Sequence, residues 1–258
     1  MNGIYQHFRE EERHFIDQVL EWKEDVLTQY GPKLIDFLDP REQEIVQTII
    51  GENTEVRVKF SGGAVDSERK RALFYPEYYV PAPPDYRLAG FEIQYASKFV
   101  TIEHREILGS LMAIGLKRAK FGDIRFHDQR IQLIVSEEIS DYLTVNFNQV
   151  GRSKIALKRI NLEQIITLKE ELSEQTTTVA SLRLDVILAA IYNISRQKVQ
   201  PLISNGLVKV NWKTVEATSF ECREGDTLSV RGFGRSKLVT IEGKTKKDKW
   251  RINVTKQK

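Results

Sequence analysis

SLRLDVILAAIYNISRQKVQPLISNGLVKVN, residues 181–211, decides how the C-terminal part of this chain is read. Leu184, Ile187, Leu188 and Ile191 recur at helical spacing, which predicts a helix with those side chains inward. Asn193-Ile194 breaks it, and Ser195 is placed to cap a second helix. Arg196 and Lys198 fall in the first turn of that helix, where free backbone N–H groups and the helix dipole already favour an anion. Cations there serve the helix poorly, so their placement points to an external phosphate. Pro201 lies six residues past the cap and is expected to bend or shorten the helix. Asn205-Gly206 ends it, and LVKVN follows as a strand whose Lys209 and Asn211 are expected to share one face. Lys213 comes next, and RGFGRSKL then adds Arg231, Arg235 and Lys237 around two glycines and Phe233.

Charge supports this reading. Residues 179–258 hold 16 Lys+Arg and 7 Asp+Glu, or 16 − 7 = +9. The chain totals are 39 and 36, so residues 1–178 carry (39 − 16) − (36 − 7) = −6. This asymmetry points the C-terminal unit at a polyanion, either nucleic acid or an anionic membrane surface.

Upstream, Phe15, Val19, Trp22 and Val26 recur at helical steps, Gly31-Pro32 ends that helix, and Asp39-Pro40 opens a second that Gly51 closes. EVRVKF reads as a strand, and SGGAVDSERKR as a glycine turn before a basic helical segment. FYPEYYVPAPPDY concentrates four of the seven prolines among four tyrosines and reads as an extended linker whose tyrosines pack against their surroundings. The next unit gives a strand at Phe91, Ile93 and Tyr95, then a helix with Ile107, Leu108, Leu111 and Met112 inward. Two strands, a helix through Tyr142, Leu143 and Phe147, and the strand KIALKRI complete a βαββαβ order, the ferredoxin-like pattern shared by RNA-recognition modules. Its third strand, RIQLIV, lacks the aromatic platform on which those modules stack bases. Lys117, Arg118 and Lys120 offer a second basic contact.

The expected fold is therefore α+β and multidomain. A mainly helical N-terminal unit (1–75) is followed by a Pro/Tyr linker (76–86) and a ferredoxin-like unit (87–160). A helical linker (161–178) then leads to a small C-terminal α/β domain with a basic extension (179–258).

Catalytic signatures are scarce. The four histidines are scattered, no phosphate-binding loop, G-x-G-x-x-G or G-x-S-x-G is present, and Cys222 alone forms no disulfide and no cysteine cluster. No cofactor and no metal are expected. No apolar run reaches the roughly 18 residues that span a bilayer, and the N-terminus has no signal-peptide pattern, so retention in the cytosol is expected.

RLD, SR, LI-x-x-G, V-x-V-N and GD, in that order over residues 179–230, resemble the RNA-binding domain of the ribosomal protein S-four type. That resemblance implies binding of structured RNA through the second helix and adjoining strand, by Arg183, Ser195, Arg196, Lys198, Lys209 and Asn211. Trp212 stands where glycine is usual after V-N, and Pro201 sits inside the binding helix. Over the whole chain, GGAVDSERKRA, GLKRAKFGDI, VKVNWK and VRGFGR resemble the YlmH-like bacterial proteins. This wider resemblance implies a cytosolic, ribosome-associated RNA-binding protein that contacts ribosomal RNA and tRNA in quality control of stalled large subunits. Two other classes stay open. RLD also occurs in pseudouridine synthases, with Asp185 then as the candidate acid, and the basic GKTKKDKWR would suit a membrane-surface or cell-division adaptor. In this sequence RLD runs on into VILAA within the amphipathic helix, which favours a salt bridge between Asp185 and Arg183.

Overall fold

The computed structural model describes Tyr5 and residues 8–51, 55–167 and 172–257. The chain forms two compact units, Met1–Leu168 and Lys169–Lys258.

The first unit opens with α1 (Arg13–Gln29), β1 (Lys33–Leu38), α2 (Pro40–Ile50), β2 (Val56–Ser61) and β3 (Lys70–Pro76). Helix α2 starts as its sequence dictates. The Asp39 side chain accepts from Glu42 N–H at 2.9 Å, the Glu42 side chain accepts from Asp39 N–H at 2.7 Å, and Pro40 takes the first helical position. Beside the helices stands a three-stranded antiparallel sheet in the order β1-β3-β2, so the segment is less helical than its periodicity suggests. The basic segment expected to be helical is the turn into β3. Ser67 Oγ bridges Gly62 O (2.9 Å) and Ala64 N–H (3.1 Å), while the N–H groups of Glu68 and Arg69 donate to the Asp123 carboxylate at 2.8 and 3.0 Å. Those amides are committed elsewhere and no helix forms.

The Pro/Tyr segment is a packed strap inside the first unit, not an open linker. Tyr75 and Tyr86 are buried with Leu73, against Leu34, Tyr79 and Leu88, and Pro83–Tyr86 make a single 3-10 turn.

Next come β4 (Leu88–Gln94), α3 (His104–Ala113), β5 (Phe121–His127), β6 (Arg130–Ser136) and α4 (Ser140–Asn146). The short β7 (Gln149–Val150) and β8 (Ser153–Lys154) pair with each other, and β9 (Ala156–Ile160) completes the unit. The sheet order β5-β6-β4-β9, antiparallel throughout, is the ferredoxin-like arrangement predicted from the element order. Phe91, Ile93, Ile107, Leu111, Phe121 and Leu133 form its core, whereas Met112, expected inward, is 47% exposed.

The opposite face of this sheet is covered. Phe37, Ile134 and Ile165 pack there with Ala64, Leu88, Ile160 and Leu162, and Gln132 accepts from Ile166 N–H at 2.7 Å. Beside them Arg125, 1% exposed, donates to both Asp66 oxygens (2.8 and 2.9 Å), Ile166 O (2.6 Å), Ser67 Oγ (3.1 Å) and Asp123 (3.3 Å). This guanidinium joins the GGAVDSERKRA turn to the ferredoxin-like sheet. The candidate second basic contact is drawn into the same unit. Lys120 pairs with Asp36 at 2.8 Å and Glu138 at 3.4 Å, and Arg118 donates to Phe121 O and Gly122 O at 2.6 and 3.2 Å.

The second unit begins with β10 (Leu172–Val179), so the polar QTTT stretch expected to separate units is a strand. It continues with α5 (Leu184–Tyr192), α6 (Arg196–Ser204), β11 (Val208–Val210), β12 (Lys213–Thr214), β13 (Thr227–Val230), β14 (Gly234–Lys244) and β15 (Trp250–Gln257). One six-stranded sheet, β10-β15-β14-β13-β11-β12, carries α5 and α6 on one face through Ile187, Leu188, Ile191, Val199 and Ile203 against Val208, Leu228, Leu238 and Val254.

Removing one partner of a buried ion pair costs about 3–5 kcal/mol. Arg125→Met, which strips Asp66 and Asp123 of their shared guanidinium, is expected to lower the unfolding free energy by about that amount in urea titrations. A loss near zero would show that Arg125 does not hold the first unit together.

Candidate nucleic-acid interface

The C-terminal candidates are organised by one buried acid. Asp185 lies in the first turn of α5 and is 0% exposed. Arg183, the residue preceding α5, donates to it through Nε (3.1 Å) and Nη2 (3.2 Å), and Arg196, the first residue of α6, through Nη2 at 2.6 Å. Two guanidiniums from two helix starts are therefore held at one point, each about half exposed. The expectation that Arg196 needs an external anion is corrected in part, since Asp185 supplies a counter-charge from within. Lys198, exposed in the same turn, has no such partner among the described residues.

Ser195 precedes α6 in extended conformation, but its hydroxyl makes no capping bond; only its carbonyl joins the helix, accepting from Lys198 and Val199 N–H at 2.9 and 3.1 Å. Pro201 does not end the helix, which runs through it to Ser204 with Val199 and Ile203 inward.

The strand candidates divide differently than expected. Val208 and Val210 face the core, so Lys209 points away from the helices. In register across the sheet, Lys209 stands beside Ser229 and Ser229 beside Arg235, while Lys237 is flanked by Thr227 and Thr255. Lys209, Arg235 and Lys237 thus share the face that the helices leave open. Asn211 is not with them. It is 8% exposed in the turn after β11, donates to Asp226 Oδ1 at 2.8 Å and accepts from Thr227 N–H at 2.9 Å, so both ends of its amide are occupied. Lys213 lies opposite Val210 at the sheet edge, on the helix side. Arg231 is exposed in the β13–β14 turn.

Two features escaped the sequence reading. The run KTKKDKW is the tip of the β14–β15 hairpin, closed by Thr245 N–H to Lys249 O (2.7 Å) and Asp248 N–H to Thr245 O (2.9 Å), with Lys246, Lys247 and Lys249 exposed. Arg235 also lies over the Trp212 ring at 5.5 Å.

Burial pushes the Asp185 carboxyl up, but the bonds from Arg183 and Arg196 more than offset it and hold it below the usual range. A depressed folded value means that the stability from this cluster is complete above about pH 4, where unfolded aspartate is ionised, and is lost as pH falls through the folded value. Asp185→Asn is expected to cost about 1–3 kcal/mol at pH 7, and the difference from the parent should shrink below about pH 4 in pH-resolved thermal melts. A pH-independent difference would contradict this account.

Three domain families match the chain: "YlmH, N-terminal" over residues 11–79, "Putative RNA-binding domain in YlmH" over 81–164 and "S4 domain" over 182–228. The chain is 51% identical over 258 residues, all of both chains, to Ribosome-associated protein quality control protein P2 of Bacillus subtilis. It is 29% identical over 126 residues to Small ribosomal subunit protein uS4 of Finegoldia magna, a match spanning 48% of this chain and 59% of that protein. A solved structure named Cell division protein ylmH from Streptococcus pneumoniae aligns at TM-score 0.56 and 31% identity, covering 64% of this chain and 100% of the other. With its elements in this order, an S4 domain built around Asp185 and a relative matched end to end, the chain belongs to the YlmH family.

Proposed function

We propose that this chain is a non-enzymatic, cytoplasmic RNA-binding protein. It acts on the ribosome in quality control of stalled translation, contacting ribosomal RNA and tRNA of the large subunit. The observation that carries this reading is the Asp185 cluster, which fixes Arg183 and Arg196 at two adjoining helix starts with Lys198 beside them. Helix starts carrying guanidiniums and backbone N–H groups suit phosphate oxygens. The Bacillus subtilis relative's name supports the ribosomal setting, and the S4 domain supports RNA as the ligand. A catalytic role for Asp185 is disfavoured because its carboxylate is buried and engaged by two arginines.

The binding is electrostatic in this reading. With about four to six phosphates neutralised, the logarithm of affinity for a labelled fragment of large-subunit ribosomal RNA should fall against the logarithm of salt with a slope of roughly −3 to −5. Lys198→Gln should make that slope shallower by about 1 and leave the melting temperature unchanged. A salt-independent affinity, or an unaltered slope in the variant, would remove α6 from the site. Sedimentation of the protein with large subunits in sucrose gradients tests the ribosomal setting.

A further inference from the structure

The β11–β12 hairpin closes through two residues, Asn211 and Trp212, since Val210 pairs with Lys213. Both are left-handed, with φ of 48° and 65°. A two-residue hairpin turn of this hand needs positive φ at both central positions, and Asn-Gly is its favoured pair because glycine meets the second requirement without steric conflict. Asn211 fits the rule and is pinned by Asp226 and Thr227. Trp212 breaks it, for a bulky residue in this region is strained.

The core does not offset that strain. Trp250 packs against the core of this unit, whereas Trp212 is not among the core residues or those packed on them, and it is half-buried. Its neighbour is the Arg235 guanidinium, which projects from the open face of the sheet in register with Ser229 and Lys209. A strained indole outside the core, set against a guanidinium on a hydroxyl-rich basic face, has the composition of a site that receives a flat, electron-rich ring beside a phosphate. Unpaired RNA bases stack on aromatic rings and guanidinium planes, while paired bases in a continuous duplex are not available to do so.

We propose that Trp212, together with Arg235, stacks against one unpaired base of a bound RNA, with Lys209 and Lys237 meeting the adjacent phosphates. This rests on the RNA-binding reading above and adds to it a preference for loops or bulges, taken on the face opposite the α5–α6 layer.

The test uses the full chain, a fluorescein-labelled RNA hairpin with a loop of unpaired adenines, and the same stem as a blunt duplex, followed by anisotropy. The parent should bind the looped RNA roughly tenfold more tightly than the duplex, the scale of one base stacked on an aromatic ring. Trp212→Gly should lose that preference, keep the parent's salt slope and melt no lower, because glycine relieves the turn. Trp212→Phe should keep part of the preference. Lys198→Gln should do the reverse of Trp212→Gly, changing the salt slope and retaining the preference. A lower melting temperature in Trp212→Gly would assign the indole to folding and overturn the proposal, as would an undiminished preference for the loop. Equal binding of both RNAs by the parent would defeat this inference and leave the RNA reading intact, whereas binding of neither would defeat both.

Discussion

A carboxylate without solvent contact has to find its counter-charges inside the protein, and in the C-terminal unit Asp185 finds them on two different helices. That constraint orders the rest. The two guanidiniums can converge on one acid only if α5 and α6 start side by side, which fixes how the Asn193 break joins them; Asn193 is left-handed, at φ 52°. The packing of Leu188, Ile191, Val199 and Ile203 then follows from the same placement. Arg183 spends Nε and Nη2 on Asp185, and Arg196 spends Nη2, so each fork keeps donors that are aimed but not consumed. The acid thus acts as a positioning residue: it removes the rotamer freedom that a long cation would otherwise lose on meeting a phosphate.

The first unit uses the inverse device. There the buried group is a guanidinium, Arg125, and the acids Asp66 and Asp123 come to it from the glycine turn and from its own strand. Asp123 also takes the N–H groups of Glu68 and Arg69, so one carboxylate stops a helix and neutralises an arginine together. The functional consequence is negative but specific. RNA-recognition modules stack bases on the sheet face opposite their helices. Here that face is filled by Phe37, Ile134, Ile165 and Arg125, so RNA contact by this unit has to use another surface.

Periodicity made the helices and the βαββαβ order legible, because Leu184, Ile187, Leu188 and Ile191, or Phe91 and Ile93, announce a buried face by spacing alone. It failed where a strand has no simple alternation. Strand β3 lies between two neighbours and is buried along most of its length, and its basic start resembles a helix; β10 is threonine and glutamine paired along all of β15. The site was legible in residue type but not in direction. Lys209 and Asn211 share parity in an extended strand, yet the chain turns left-handed at Asn211 and commits its amide to Asp226, fifteen residues on. Nothing in the local sequence marks that distant partner. Arg235 and Lys209 meet across Ser229 only through the register of β11, β13 and β14, which hydrophobic pattern alone does not set.

That register has a consequence for the shape of the ligand. Arg183, Arg196 and Lys198 belong to the helix layer, with Lys213 at the edge on the same side, while Lys209, Arg235 and Lys237 lie on the far face of a single sheet. A straight duplex laid against one side of so small a domain meets one set and misses the other. Engaging both sets at once requires an RNA that bends or branches around the β11–β12 edge, which is where Trp212 stands. An unpaired base at the bend would reach the indole, while helical segments on either side supply phosphates to the two groups of cations. The split of the cations between faces, which defeats a flat binding surface, therefore selects for RNA with a junction or loop.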